Sequence, residues 1–175
     1  MSIEGFEVVG IEEFKEEVRK LREKIKNMMD KVAALEEAAR VSEFLAQHGY
    51  KLRVVEAEED LPPIYEVDLG KVLVYIIVYP PRYELLAGEA SRPASFILYG
   101  PPAERAEGKY IVLIYFTRKG KLGPAAYLYL GMLIEEYNIG ILFVNGSEEE
   151  IADILDSLKK HGKYEPPEDE ALPLG

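Results

Sequence analysis

The clearest hydrophobic pattern in the chain lies near its N-terminus. Apolar residues recur there at alternating intervals of three and four positions, which is the heptad pattern of a coiled coil. So narrow an apolar stripe is best buried against another helix of the same kind. We therefore predict that it holds a homo-oligomer, either a dimer or a dimer of dimers. This heptad seam consists of Ile11, Phe14, Val18, Leu21, Ile25, Met28, Val32 and Leu35.

Charges beside the heptad seam favour a parallel pair of helices. In a parallel pair, Glu17 faces Arg22 of the neighbouring helix, and Lys31 faces Glu36. An antiparallel pair would instead bring Lys24 against its own copy. We predict the parallel arrangement, while an antiparallel pair and a helix packed inside its own chain remain alternatives.

The chain divides into four parts. No Gly or Pro interrupts the helical pattern from Ile11 until Gly49, a residue type common at helix ends. Beyond Leu35 the apolar stripe widens, which predicts that the end of the helix docks on a globular domain. The predicted parts are an N-terminal segment (1–10), a long helix (11–48, coiled coil over 11–35), a globular α/β domain (49–162) and an acidic flexible tail (163–175).

Short apolar runs replace the helical pattern in the globular domain. A tight turn joins the second and third runs into a hairpin, and a helix over 124–137 joins the last two into a βαβ unit. Ser147 and Glu150 form a capping-box pattern for a final helix that extends to Lys160. Residues 82–108 are the least regular, with a helical turn at 83–86. Strands are predicted at 51–57, 64–68, 71–79, 95–99, 109–117 and 141–144.

These elements define the predicted fold class. It is α/β (α+β), with a mixed β-sheet of four to five strands, helices, one βαβ unit and the long N-terminal coiled-coil helix in front. No apolar run reaches membrane-spanning length, and the N-terminus lacks the pattern of a signal peptide. We therefore expect a soluble, cytoplasmic protein without a membrane partner.

Composition excludes several classes of site. The chain has no Cys, so it has neither a disulfide framework nor a Cys-based metal site. Its two His residues, His48 and His161, lie beside glycines at predicted helix ends, where capping is their expected role. We predict no metal and no cofactor. Many charges, many prolines and no Cys also fit a heat-adapted protein.

Charge is segregated along the sequence. The formal net charge is −11, which by itself disfavours nucleic acid as a partner. Residues 69–134, however, carry eight Lys or Arg and only four Asp or Glu. The acidic residues crowd into the first helix, residues 56–60, the last helix and the tail. A cationic surface is therefore expected in the middle of the chain.

The order of the predicted elements also fits a nuclease fold. A helix, three strands and a strand–helix–strand unit is the order of the restriction-endonuclease-like fold. Such enzymes hold Mg²⁺ between acids on two strands. Asp68 would be the first acid, but the strand that ends in Tyr115, Phe116 and Thr117 carries none. An active nuclease is therefore not predicted.

The middle of the chain combines basic residues with tyrosines near predicted loops. The segment 118–123, between a strand end and a helix N-terminus, fits a phosphate contact, and exposed tyrosines stack on bases in single-stranded nucleic acid. Solvated lysines and ordinary strand tyrosines are the alternatives. The candidate nucleic-acid contacts are Tyr79, Arg82, Tyr83, Arg92, Tyr99, Arg118, Lys119 and Lys121.

The leucine-zipper-like helix (11–35), the compact α/β domain with Tyr and Arg/Lys in loops and the absence of Cys resemble the ThermoDBP-related single-stranded-DNA-binding proteins of archaea. The resemblance implies a coiled coil beside an α/β domain whose cleft holds bases, in a heat-loving organism. We predict a non-enzymatic, oligomeric protein that binds single-stranded DNA or RNA. The alternatives are a coiled-coil adaptor for other proteins, with the acidic tail as a further contact, and an inactive relative of the restriction-endonuclease-like fold.

Overall fold

The computed structural model describes the backbone of residues 3–163 and the side chains from Gly10 onwards. The predicted tail lies outside the described residues, except for Lys163. The helices are α1 (Ile3–Gln47), α2 (Ala87–Tyr99), α3 (Pro102–Arg105), α4 (Pro124–Tyr137) and α5 (Glu148–His161). The strands are β1 (Arg53–Val54), β2 (Ile64–Asp68), β3 (Val72–Val78), β4 (Glu84–Leu85), β5 (Tyr110–Phe116), β6 (Lys121–Leu122) and β7 (Gly140–Val144).

Five strands form one mixed sheet in the order β1-β2-β3-β5-β7. β3, β5 and β7 are parallel, whereas β2 is antiparallel to both β1 and β3. The helices α2 and α4 each connect two parallel strands, so the fold contains two βαβ units where the sequence predicted one. The predicted fold class, mixed α/β with a long N-terminal helix, is confirmed.

Helices cover both faces of this sheet. The end of α1 and α5 pack on one face, and α2 and α4 pack on the other. Every residue of β3 is therefore buried, which explains why its sequence is apolar without alternation. The chain leaves β5 towards α4 on one face of the sheet, and it leaves β7 towards α5 on the other face. The connections therefore change sides between β5 and β7. In open α/β sheets, ligands bind outside the carboxyl ends of the strands near such a change of sides.

Helix α1 has two different faces. Ala34, Ala38, Val41 and Leu45 are buried in the core of the domain. The heptad seam points away from this docking face, by roughly 150° on average at 3.6 residues per turn. Its side chains are accordingly 46% to 72% exposed in the single chain. The seam is thus available to a partner without disturbing the domain.

Three predicted elements were wrong. The strand at 95–99 is the second half of α2, because Ala90, Ala94 and Ile97 face the sheet at helical spacing and Pro93 hid that pattern. The helical turn at 83–86 is instead the short strand β4. The strand at 51–57 shrinks to β1. In addition, α1 begins at Ile3 rather than Ile11, and the Ser147 hydroxyl forms no capping hydrogen bond although α5 begins directly after it.

We predict that the heptad seam mediates self-association. Val18→Asp combined with Ile25→Asp places two charges in the seam and should lower the mass measured by light scattering to that of a smaller species. Lys20→Asp adds the same negative charge on another face of α1 and should leave the mass unchanged. An unchanged mass of the seam variant at micromolar concentration would contradict the prediction.

Candidate nucleic-acid interface

The loops that follow β3 and β5 meet at the carboxyl edge of the sheet. The Arg82 amide donates to the Arg118 carbonyl at 2.7 Å, and the Lys121 amide donates to the Tyr83 carbonyl at 3.0 Å. β4 and β6 then pair in parallel, with Glu84 opposite Lys121. This pairing gathers four of the predicted contacts, which we call the edge patch: Arg82, Tyr83, Lys119 and Lys121.

Thr117 ties the two loops together. Its buried hydroxyl donates to the Pro80 carbonyl at 2.7 Å and accepts from the Tyr83 amide at 3.1 Å. Gly120 permits the close approach, since a Cβ there would lie 2.3 Å from the Thr117 hydroxyl oxygen and 2.5 Å from the Tyr83 carbonyl. The geometry of the edge patch therefore depends on the buried Thr117 side chain and on the absence of a side chain at Gly120.

Two basic residues of the edge patch have left-handed backbone conformations. The φ angle is 59° at Arg82 and 57° at Lys119. Such conformations cost residues other than Gly about 1–2 kcal/mol, and they concentrate at functional sites. Both side chains are exposed, and neither forms an ion pair within residues 10–163. Lys121 lies 4.0 Å from Glu84 and is largely exposed. The patch thus presents three cations to solvent.

The tyrosines at this edge form a stack that is mostly buried. The rings of Tyr79 and Tyr83 lie 5.4 Å apart, and those of Tyr79 and Tyr115 lie 6.2 Å apart. Tyr79 is only 2% exposed and donates its hydroxyl to the Glu89 carbonyl. Burial raises the pKa of Tyr79 and, less strongly, that of Tyr83. The prediction that Tyr79 stacks on a base is therefore corrected: it supports Tyr83, which is half-buried at the surface.

Arg118 is a structural residue in this arrangement. Its guanidinium lies 3.0 Å from the Glu37 carboxylate of α1 and 2.5 Å from the Glu148 carboxylate of α5. Burial alone would lower the pKa of Arg118, but the two carboxylates raise it. Its charge is neutralised within the fold, so the prediction that it contacts a phosphate is corrected.

The remaining predicted contacts lie apart from the edge patch. Arg92 on α2 pairs with Asp60 of the loop before β2. Tyr99 ends α2 at the opposite edge of the sheet, where its ring meets that of Tyr137 edge-on at 5.8 Å. The structure brings together four of the eight predicted residues, with Tyr79 beneath them and Arg118 beside them.

A cleft of about 360 Å³ opens beside Tyr83, between α1, the loop 59–63 and α2. Tyr83 and several prolines supply its apolar walls. The carboxylates of Asp30, Glu59, Asp60 and Glu89 outnumber the cations of Lys31 and Arg92. This excess of negative charge disfavours phosphate inside the cleft and leaves the edge patch as the cationic surface.

The N-terminus of α4 does not form the phosphate cradle that segment 118–123 suggested. The Gly123 amide already donates to the Leu85 carbonyl at 2.9 Å, and Pro124 has no amide hydrogen. A Cβ on Gly123 would lie 3.8 Å from the Glu84 carboxylate, so negative charge also stands nearby. Lys119 and Lys121 contribute to the edge patch through their side chains alone.

Sequence reasoning missed a buried carboxylate in the middle of β2. Glu66 on β2 is buried and accepts from Arg105 at 2.7 Å, Arg53 at 2.8 Å and the Tyr75 hydroxyl at 3.1 Å. Burial would raise the pKa of Glu66, but the hydrogen bonds from Arg53 and Arg105 hold it at about 2. The cluster fastens β1 and α3 to the sheet. Nothing in the sequence signals this cluster, because the partners of Glu66 are distant from it along the chain.

Asp68 is engaged by Lys109 at 2.8 Å, an ion pair that lowers the pKa of Asp68. β5 carries no acid to complete a nuclease site. Within residues 10–163, no three His, Asp or Glu side chains are placed to share a metal ion.

His161 lies in the last turn of α5, and His48 follows α1 with its ring 4.6 Å from that of Phe44.

None of the helices in the described part of the chain combines the length and apolar character that a membrane span requires. Comparison with protein-family models, curated proteins and solved structures finds no significant match to this chain. The resemblance to ThermoDBP-related proteins therefore stays a prediction that rests on architecture.

Glu66 should make stability depend on acid. Its folded pKa of about 2 lies below the ordinary value of 4.5, so its contribution is full above pH 4.5 and is lost as the pH falls towards 2. Glu66→Gln should lower the urea midpoint at neutral pH and flatten its decline between those pH values. Glu43→Gln, at an exposed position on α1, is the control and should follow the parent. An unaltered acid profile for Glu66→Gln would contradict the assignment.

Arg118→Ala should destabilise the domain. Removing the guanidinium leaves the buried Glu37 with Arg40 alone, 3.5 Å away. Breaking a buried pair on one side costs about 3–5 kcal/mol, and the remaining cation should reduce this to about 2–3 kcal/mol. Denaturant unfolding measures the loss. Lys119→Ala is the neighbouring control and should change stability little.

Proposed function

We propose that the protein is a homo-oligomeric, non-enzymatic binder of single-stranded nucleic acid, and that the edge patch is its contact surface. The convergence of exposed cations and one supported tyrosine at the carboxyl edge carries this proposal. Phosphates would lie against Arg82 and Lys119, while a base would stack on Tyr83. The long α1, with its exposed heptad seam, would hold several such patches in one assembly.

A small patch predicts modest affinity per subunit. Two phosphate contacts give a salt slope, the slope of the logarithm of the binding constant against the logarithm of the salt concentration, of only about −1.4 for single strands. The remaining binding free energy would come from stacking, about 1–3 kcal/mol per base, and from several patches on one strand. The net charge of −11 adds no long-range attraction, so recognition depends on local contacts.

The backbone strain at the edge patch permits a sharp test. Arg82→Gly combined with Lys119→Gly removes two cations and also relieves two left-handed backbone conformations. The greater flexibility of Gly in the unfolded state offsets part of that relief. We expect the thermal midpoint to stay constant or rise, while affinity for a labelled thymidine tract falls and the salt slope loses about 1.4. Fluorescence anisotropy over a salt series measures both quantities.

Matched variants separate stacking from charge. Tyr83→Leu should weaken binding about fivefold or more and leave the salt slope unchanged. Tyr99→Leu, at the far edge of the sheet, should bind like the parent. Equal binding by the double glycine variant and the parent would exclude the edge patch. Comparison of DNA with RNA tracts and with a duplex then defines the preferred strand.

An adaptor that binds other proteins is the second candidate function. The acid-lined cleft beside Tyr83 favours it, because a basic protein segment complements that cleft better than a phosphate backbone does. If the parent binds no single strand at low salt, the nucleic-acid proposal fails and the adaptor becomes the better explanation of the coiled coil.

A further inference from the structure

The first eleven residues of helix α4 are uncharged on all sides, although only one side faces the sheet. From Pro124 to Ile134 the helix contains no charged residue. Ala126, Leu130 and Leu133 are buried against the domain. On the opposite side, Leu128 is 67% exposed and Met132 is 65% exposed. A helix that is apolar all round is normally buried all round, so this outer side lacks a partner.

A glycine lies within this outer side. Gly131 is in the interior of α4 and has no atom within 4 Å of the position that a Cβ would occupy. Gly in a helix interior lowers stability relative to Ala. Nothing in the described part of this chain requires it, since the space in front of it is open. A glycine in such a place permits close approach by another backbone.

The charges at the two ends of α4 complement each other. Lys121 lies just before the N-terminus, with a largely exposed side chain. Glu135 and Glu136 are exposed in the last turn. If a second copy of the helix lay antiparallel across Leu128, Lys121 of each copy would approach Glu135 and Glu136 of the other. Gly131 would then lie opposite Ala125.

We propose that the α4 outer face, made of Ala125, Leu128, Gly131 and Met132, binds the same face of a second copy of this chain with the two helices antiparallel. This contact is separate from the heptad seam and does not depend on nucleic acid. Each chain would then have two self-association surfaces. Two such contacts give a closed tetramer when the geometry of their two-fold axes permits closure. Otherwise they give an open filament of subunits.

The test isolates α4 from the coiled coil in the full chain. In the Val18→Asp, Ile25→Asp background, sedimentation equilibrium should still show a monomer–dimer equilibrium. Adding Leu128→Glu and Met132→Glu should raise the dissociation constant at least tenfold. The matched control is Val54→Glu, which charges an equally exposed apolar residue on β1 and should leave the equilibrium unchanged.

Two further variants distinguish a specific helix–helix contact from non-specific hydrophobic association. Gly131→Ala should raise the thermal midpoint of the chain yet weaken dimerisation, because the added methyl separates the helices. Lys121→Glu should weaken the dimer, and adding Glu135→Lys with Glu136→Lys should restore it.

The proposal is overturned if the seam-broken chain is monomeric up to millimolar concentration, which would leave the α4 outer face to a different partner. It is also overturned if the Glu substitutions on α4 leave the dimer intact. Circular dichroism of each variant confirms that the fold is retained, since all the substituted α4 side chains are exposed or face open space.

Discussion

The docking of α1 on the sheet determines what the other surfaces of the molecule can do. Small and aliphatic side chains, Ala38, Val41 and Leu45, let the helix lie close to the strands. Complete burial of each larger aliphatic side chain contributes about 1.5–3 kcal/mol. Because this contact uses one face of α1 only, the heptad seam is left on the other side. The heptad seam and the docking face therefore occupy different sides of one helix.

The same docking changes the electrostatics of the carboxyl edge. Glu37 reaches Arg118 from α1, and Glu148 reaches it from α5, so the most central cation of the edge serves the fold. Arg82 and Lys119 lie farther out and keep their charge available. The cationic surface that the sequence predicted is thus divided, by the partners of its residues, into a structural cation and a small exposed patch. A chain with net charge −11 then presents positive potential only locally.

The sequence predicted those features that depend on neighbours along the chain. Long apolar runs located β3 and β5, and Pro124 located the start of α4, because strand burial and helix initiation are local signals. Helix α2 was missed because its buried side consists of Ala90, Pro93, Ala94 and Ile97, where the small residues and the proline obscure the helical pattern. Two of the predicted site residues, Tyr79 and Arg118, have structural roles that their sequence neighbours do not reveal. The sequence does not distinguish Tyr79 from Tyr83. Tyr79 is buried because α2 packs over the end of β3. The carboxylates that neutralise Arg118 are far from it in the chain.

Three positions depart from the backbone or helix preference of their residue types. Arg82 and Lys119 have strained backbone conformations that Gly would relieve, and Gly131 weakens a helix that Ala would strengthen. Gly120 is a useful contrast, since its missing side chain is required by Thr117 beside it. Natural sequences depart from local preference mainly where another demand competes with stability. These three positions lie in the edge patch and in the α4 outer face, and Lys121 lies between the two. If both proposals hold, the departures at Arg82 and Lys119 serve a ligand, and the one at Gly131 serves contact with another copy.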